Sequence, residues 1–247
     1  TASNQDKGGG LIVTGSGNPT LRNCIVTANT CTFGGGAGYV LTAGATFADC
    51  QFISNTGGSF GGAFDTNNAT TKFERCIFRG NSAARAGAVE TFGGANTTYT
   101  NCIFSGNTAT GSNGGGALWI GSSGTVTARN CTFSGNNATQ LAGCVRNTGG
   151  TSTLGNCILW GNTGPGGATS ANQISNGGGT TNATYCIVQG GYTGTGNTSG
   201  DPLFVNAAGL DFSVQDASPA IDSGSNSLVP AGTTTDIAGL PRFVDVP

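Results

Sequence analysis

The sequence lacks histidine and methionine, and only 8% of its 247 residues are charged. Without histidine, neither a Ser-His-Asp triad nor a Cys-His pair is available for catalysis. No run of about 18 apolar residues is present, so no segment is predicted to cross a membrane as a helix. The net charge of −2 provides no basic surface of the kind that binds nucleic acid.

The sequence is rich instead in glycine, with 46 residues, and it holds nine cysteines. Seven cysteines are separated by 26, 26, 26, 29, 26 and 29 residues, namely Cys24, Cys50, Cys76, Cys102, Cys131, Cys157 and Cys186. Two positions after each stands an apolar residue: Val26, Phe52, Phe78, Phe104, Phe133, Leu159 and Val188. Five positions after the first six stands asparagine: Asn29, Asn55, Asn81, Asn107, Asn136 and Asn162. A Gly-Gly-Ala-like step then ends at Ala37, Ala63, Ala88, Ala117, Cys144 and Ala168.

This repeat predicts an all-β fold, a right-handed single-stranded parallel β-helix of about eight or nine coils of 26 to 29 residues. Each unit is too short to bury a face alone, so successive units stack at the strand spacing of about 4.8 Å. The glycine pairs are expected at corners that require positive φ. Stacked asparagines are expected to satisfy their amides along the column.

The cysteine column is interpreted as packing by small buried thiols. Stacked side chains lie about 4.8 Å apart, whereas a disulfide brings the two Cβ atoms to about 3.8 Å. Cys31 and Cys144 lie off the column and are the only candidates for a bridge. No C-x-x-C pair is present, so no metal and no cofactor are predicted, and no motif indicates Ca²⁺.

The repeat extends over most of the chain, which predicts one β-helix domain over residues 1–247. Residues 1–199 carry the repeat coils. Residues 200–247 are rich in proline and aspartate and are expected to form closing coils and a C-terminal cap, with the last coils at Pro219 to Asp222 and Pro241 to Val244. The glycine step at Gly8-Gly9-Gly10 places the start of the chain in mid-coil, so we expect a fragment of a longer protein.

One column offers candidate chemistry, two residues beyond the glycine-alanine step. It consists of Tyr39, Asp65, Glu90, Trp119, Arg146 and Ser170. Its variety predicts a solvent-facing position, with Asp65 and Glu90 on adjacent coils about 5 Å apart at the backbone. Such a strip is suited to binding sugars through Trp119 and anions through Arg146, or to hydrolysis by the two carboxyls. The alternative is an exposed and merely variable column, which we favour.

A further column follows the asparagines: Thr30, Thr56, Ser82, Thr108, Asn137 and Thr163. Ranks of threonine on a flat face order water and bind ice when two parallel ranks are present. Only one rank is recognisable here, so the column is interpreted as a hydrogen-bonded turn ladder.

The F-x-x-N and G-G-A motifs, as in Phe52-Ile53-Ser54-Asn55 and Gly61-Gly62-Ala63, resemble the passenger repeats of chlamydial polymorphic outer-membrane proteins. The tail from Gly200 to Val205, with Ser218 to Asp222 and Asp236 to Arg242, is similar to the choice-of-anchor Q β-helix proteins. That resemblance implies a long bacterial surface protein, of a kind that Bacteroidetes export by the type IX system. It implies adhesion, although the sorting domain of that family is not present in this sequence.

Together these observations predict a non-enzymatic structural or adhesive segment of a secreted, cell-surface bacterial protein. The expected partners are other domains of the same chain, and surface glycans or a host or substratum, but not nucleic acid and not a membrane. The first alternative is a carbohydrate-binding or carbohydrate-cleaving β-helix that uses the Asp65 and Glu90 strip. The second alternative is a filament-forming subunit.

Overall fold

A computed structural model describes residues 7–242 as a β-solenoid of parallel sheets. The first sheet has seven strands: Leu11–Thr14, Gly38–Leu41, Phe64–Asn67, Val89–Phe92, Leu118–Ile120, Val145–Asn147 and Ile174–Asn176. The second sheet also has seven: Thr20–Arg22, Gly44–Ala48, Thr70–Glu74, Asn96–Thr100, Thr125–Arg129, Thr151–Gly155 and Thr180–Thr184. The third has seven: Ile25–Thr27, Gln51–Ile53, Ile77–Arg79, Ile103–Ser105, Thr132–Ser134, Ile158–Trp160 and Ile187–Val188. The fourth has five: Thr30–Cys31, Thr56–Gly57, Ser82–Ala83, Thr108–Ala109 and Asn137–Ala138.

Each coil contributes one strand to each long sheet, so the molecule winds through seven coils. The parallel β-helix predicted from the repeat is therefore confirmed, with slightly fewer coils than expected. The other elements are one helical turn at Ser170–Gln173, 3₁₀ turns at Ala207–Gly209 and Asn226–Leu228, and an antiparallel pair of strands at Phe204–Asn206 and Asp211–Val214.

Aromatic rings from two sheets fill the interior of the central coils. Phe78, Phe104 and Phe133 of the third sheet lie one above another, with ring centres 4.6 Å apart at both steps. Phe73 and Tyr99 of the second sheet stack in the same way at 5.3 Å. Because every second strand residue points inward, the column predicted from the sequence becomes a continuous apolar core.

The column cysteines lie at the corner between the second and third sheets. Six of them, from Cys50 to Cys186, are buried, and Cys24 in the first coil is partly exposed. Their thiols donate to the carbonyl of the residue two positions back, as Cys76 does to Glu74 at 3.4 Å and Cys131 to Arg129 at 3.2 Å. Burial raises the pKa of the Cys102 thiol well above its usual range. The column therefore combines packing with a weak hydrogen bond that satisfies a corner carbonyl.

A bridge between Cys31 and Cys144 is excluded by their positions. Cys31 ends the first strand of the fourth sheet, whereas Cys144 precedes the sixth strand of the first sheet. Four coil steps correspond to about 19 Å, while a disulfide requires Cα atoms within about 7 Å. Cys144 instead occupies the core position that alanine takes in the preceding coils, and its carbonyl accepts hydrogen bonds from Ala117 and Leu118.

Positive φ recurs at two corners, beside the cysteine and asparagine columns, and also at turns between the first and second sheets such as Thr42, Asn68 and Ser123. The first corner immediately precedes the cysteine and is occupied by Asn23, Asp49, Arg75, Asn101, Asn130, Asn156 and Tyr185. The second precedes the asparagine and is occupied by Ala28, Ser54, Gly80, Gly106, Gly135 and Gly161. The expectation that the glycine pairs supply positive φ is wrong for the steps that end at Ala37, Ala63, Ala88, Ala117 and Cys144, whereas Gly166 and Gly167 before Ala168 do have positive φ.

In the steps that end at Ala37, Ala63, Ala88, Ala117 and Cys144, the glycine just before the last residue is required by close approach of the neighbouring coil. A Cβ on Gly87 would lie 1.9 Å from the carbonyl oxygen of Gly116, and one on Gly62 would lie 2.0 Å from that of Gly87. Real Cβ atoms do not approach a backbone oxygen so closely, so a side chain here would separate the coils.

We expect Gly87→Ala to lower the free energy of unfolding by about 2 to 3 kcal/mol, as overpacking does in other cores. The matched control is Gly106→Asn, because Gly106 has φ of +62° and nothing within 4 Å of its added Cβ. Asparagine tolerates this conformation, so the control should cost less than about 1 kcal/mol. Urea denaturation of both variants measures the difference. Equal losses of unfolding free energy in the two variants would show that close approach of the next coil is not the reason for glycine at position 87.

The asparagine column forms a saturated hydrogen-bond ladder. Each Nδ2 donates to the Oδ1 of the next asparagine, at 2.9 Å from Asn81 to Asn107 and 2.8 Å from Asn107 to Asn136. From Asn55 to Asn162, each Nδ2 also donates to a carbonyl of the preceding coil, and each Oδ1 also accepts from a backbone N–H. Gly191 cannot continue the ladder, and the Oε1 of Gln173 ends it by accepting from Asn162 at 2.7 Å. Buried amides are thus fully satisfied from coil to coil.

Residues 189–199 lie across the last coil. Thr198 pairs with Ile187 in a parallel bridge, Tyr192 packs against the core, and the Asn197 side chain accepts from the backbone N–H of Cys186 at 2.9 Å. The closing coils predicted over residues 200–247 are not found between residues 200 and 242. Pro219 to Asp222 form turns, Pro241 pairs antiparallel with Thr235, and residues 243 and 244 lie outside the described residues.

Residues 200–242 instead form a strap that runs back along the cysteine corner. Ser225 exchanges hydrogen bonds with the Asn156 side chain at 2.8 and 2.9 Å, and the Thr235 carbonyl accepts from Asn101 at 2.8 Å. The contacts span from the sixth coil to the fourth. The proline and aspartate content that suggested an end cap therefore belongs to a lateral cover.

Candidate functional site

The first sheet carries the column that the sequence singled out for chemistry. Its strands pair Tyr39 with Asp65, Asp65 with Glu90, Glu90 with Trp119, and Trp119 with Arg146. The next partner is Ser175, not Ser170 as the sequence count predicted. The helical turn at Ser170–Gln173 lengthens this coil and displaces Ser170 from the column.

The column faces away from the core but is buried, so its predicted exposure to solvent is wrong. The exposed fractions are 1% for Tyr39, 1% for Asp65, 0% for Glu90 and 8% for Trp119, whereas Arg146 is partly exposed. The chain that leads into each glycine step folds back over the first sheet, which covers these side chains. The glycines permit this, because a Cβ on Gly61 would lie 1.8 Å from the Phe64 carbonyl oxygen.

Arg85 closes the covered space above Glu90. Its guanidinium donates to Glu90 Oε1 at 2.8 Å and lies 4.8 Å from the ring centre of Trp119 and 5.0 Å from that of Phe60. Lys7 lies over the Tyr39 ring at 5.3 Å. These cationic and aromatic contacts separate the carboxyls from solvent, and each supplies stabilisation of about 0.5 to 2 kcal/mol.

The two carboxyls are incompletely paired. Asp65 Oδ1, Glu90 Oε2 and Trp119 Nε1 are buried without a hydrogen-bond partner in the described part of the chain. Burial raises the pKa of Glu90 to about 7, although Arg85 acts against this shift. Burial and the neighbouring Glu90 charge raise the pKa of Asp65 well above its usual range. The two adjacent carboxyls therefore keep their protons to a higher pH than exposed carboxyls do.

The remaining members of the column are held by hydrogen bonds. Arg146 donates from Nε to Asn113 Oδ1 and from Nη1 to Ser175 Oγ, both at 3.0 Å, and burial lowers its pKa. Burial and the Asp65 charge raise the pKa of Tyr39, so its hydroxyl stays protonated. The column is therefore brought together as the sequence predicted, but beneath a cover that blocks a polymer chain.

Within residues 7–242, no three acidic or cysteine side chains converge to hold a metal ion. The same residues contain no helix that is long and apolar enough to span a bilayer.

A second pocket, open on one side, lies between the strap and the corner residues, and the sequence did not predict it. This cavity of about 630 Å³ is lined by Asn101, Asn130, Phe212, Asp236 and Arg242 among others. Asn101 is 3% exposed, and its Oδ1 and the Nδ2 of Asn130 have no hydrogen-bond partner in the described residues. The strap that creates this cavity has no repeat, so its path gave no signal in the sequence.

The fold and register define the molecule as a right-handed parallel β-helix. In agreement, residues 1–113 match the family described as "Right handed beta helix region". No curated protein and no solved structure matches the chain. The strand register extends beyond the matched residues through the seventh coil without interruption in the second sheet.

Proposed function

We propose that this chain is a rigid, non-enzymatic segment of an exported protein of the cell surface, serving as a stalk or attachment module. The observation that carries the proposal is the unbroken coil-to-coil pairing. Three sheets and the asparagine ladder continue through the stack, over about 30 Å at the strand spacing. A rod whose backbone groups and buried amides are paired at every step resists bending and extension.

The resemblance to choice-of-anchor Q proteins and chlamydial passenger repeats supports the surface location. So does a composition with few charges and many threonine, serine, asparagine and glycine residues. Export by a type IX system and an origin in Bacteroidetes are parts of the same proposal. Protease treatment of intact cells that express the full-length gene product tests the location. Digestion only after lysis would contradict it.

The second candidate function is carbohydrate cleavage by Asp65 and Glu90. A raised pKa near neutrality suits a general acid, and the two residues are adjacent across the sheet. Their burial argues against this function, because a catalytic carboxyl must reach the glycosidic oxygen of its substrate.

We therefore expect no new reducing ends and no unsaturated ends when the protein is incubated with acidic and neutral polysaccharides. The measurement includes Asp65→Asn and Glu90→Gln as matched variants. Product formed by the unmodified protein and lost in either variant would establish the catalytic alternative and overturn the non-enzymatic proposal.

A further inference from the structure

The outer face of the second sheet carries two parallel ranks of polar side chains, most of them threonine, that the sequence analysis did not recognise. Within each strand, residues alternate between the core and this face, as Thr125 and Thr127 flank the buried Val126. The first rank consists of Thr70, Asn96, Thr125, Thr151 and Thr180. The second consists of Thr20, Thr46, Lys72, Thr98, Thr127, Thr153 and Asn182.

From the fourth coil to the seventh, the two ranks hold no charged side chain. We call this two-by-four array the threonine face; its members are Asn96, Thr98, Thr125, Thr127, Thr151, Thr153, Thr180 and Asn182. Lys72 bounds it on one side and Arg129 lies in the column beside it. The members of the first rank are exposed, and Thr98, Thr127 and Thr153 are partly exposed. Because the array is uncharged and carries hydroxyl and amide groups, it can form hydrogen bonds with a neutral lattice of water oxygens.

The spacing of the array is close to that of ice. Neighbouring coils repeat at about 4.8 Å, and residues two apart along a strand at about 6.6 Å. Water oxygens joined tetrahedrally by hydrogen bonds of about 2.75 Å give second neighbours at about 4.5 Å and a layer repeat near 7.3 Å. Over three coil steps the mismatch accumulates to about 0.9 Å, which is well below half of a lattice spacing.

The side chains are also held in place. Threonine has few χ1 rotamers in a strand, and the strands pair residue for residue from Asn96–Thr100 to Thr180–Thr184 without a bulge. The competing explanation is that threonine is simply a common residue on the solvent side of a β-strand. It predicts no dependence of any activity on the two-rank arrangement.

We propose that the threonine face binds ice. This inference goes beyond the proposed stalk or attachment role and does not depend on it, because adsorption to ice requires only the face itself. The single rank of the fourth sheet, in which Thr108 lies between Ser82 and Asn137, provides a control surface on the same molecule.

The test measures thermal hysteresis and inhibition of ice recrystallisation by the 247-residue protein, with Thr127→Lys at the centre of the array and Thr108→Lys on the fourth sheet. We expect activity in the unmodified protein and in Thr108→Lys, and its loss in Thr127→Lys. Circular dichroism checks that both variants stay folded.

Absence of hysteresis and of recrystallisation inhibition in the unmodified protein would overturn the proposal. Activity that both variants retain, or that both lose while folded, would show that the threonine face is not the ice-binding surface. None of these outcomes bears on the polysaccharide assay or on the surface location.

Discussion

Asn107→Ala should lower the free energy of unfolding by about 3 to 5 kcal/mol, because it interrupts the asparagine ladder in its buried centre. Loss of this side chain leaves the Asn81 backbone N–H and one Asn81 amide proton without partners, and it removes the side-chain donor to the Phe78 carbonyl. Each unsatisfied buried group costs about 1 to 3 kcal/mol. Urea denaturation at pH 7 measures the change.

The matched control is Asn29→Ala, at the first position of the same ladder. Asn29 is only partly buried, so water replaces the bonds that its Nδ2 makes to Thr27 and Asn55. This variant should lose about 1 kcal/mol. Similar losses at the two positions would mean that the ladder does not act as a buried network and that the rigidity of the stack has another origin.

Glu90→Gln should make the protein more stable at pH 8 and leave it nearly unchanged at pH 4. The pKa of Glu90 is raised to about 7 by burial, whereas the unfolded chain releases this proton near pH 4.5. Between pH 4.5 and pH 7 the folded state holds the proton that the unfolded chain has released. The contribution of Glu90 to the free energy of unfolding is therefore fully present below about pH 4.5 and is lost as the pH rises to about 7. The unmodified protein should lose roughly 3 kcal/mol from this group by pH 8. Asp65, whose pKa is also raised, adds to the loss.

The control for this prediction is Glu74→Gln, since Glu74 lies partly exposed at the end of strand Thr70–Glu74. Both variants are compared with the unmodified protein between pH 4 and pH 8. A Glu90→Gln stability curve that runs parallel to that of the unmodified protein would place the Glu90 proton elsewhere and contradict the buried carboxyl pair.

The sequence predicted the features that repeat and missed those that do not. Cysteine, phenylalanine and asparagine recur at one interval. They recur because the equivalent position of each coil has the same packing and hydrogen-bonding surroundings. The path of the strap depends instead on isolated contacts such as Asn156 with Ser225. Such contacts leave no periodic trace in the chain.

The column from Tyr39 to Arg146 shows that a side chain that points away from the core is not always exposed to solvent. Alternation along the strands correctly indicated that these side chains point away from the core. The chain before each glycine step then folds over them, which depends on the close backbone approach at Gly61 and its equivalents. The threonine face was missed for a different reason, because its two ranks precede the cysteine by six and four residues and were not aligned. That signal was present in the sequence.

The column of thiols is tested most directly by sulfur anomalous diffraction from a crystal of the protein. The chain has no methionine, so its nine cysteines are its only sulfur atoms. A parallel β-helix predicts seven anomalous peaks in a row, about 4.8 Å apart, with Cys31 and Cys144 off the row. Sulfur positions for Cys50, Cys76 and Cys102 that are scattered, or that lie on the molecular surface, would contradict the stacked coils on which every other inference depends.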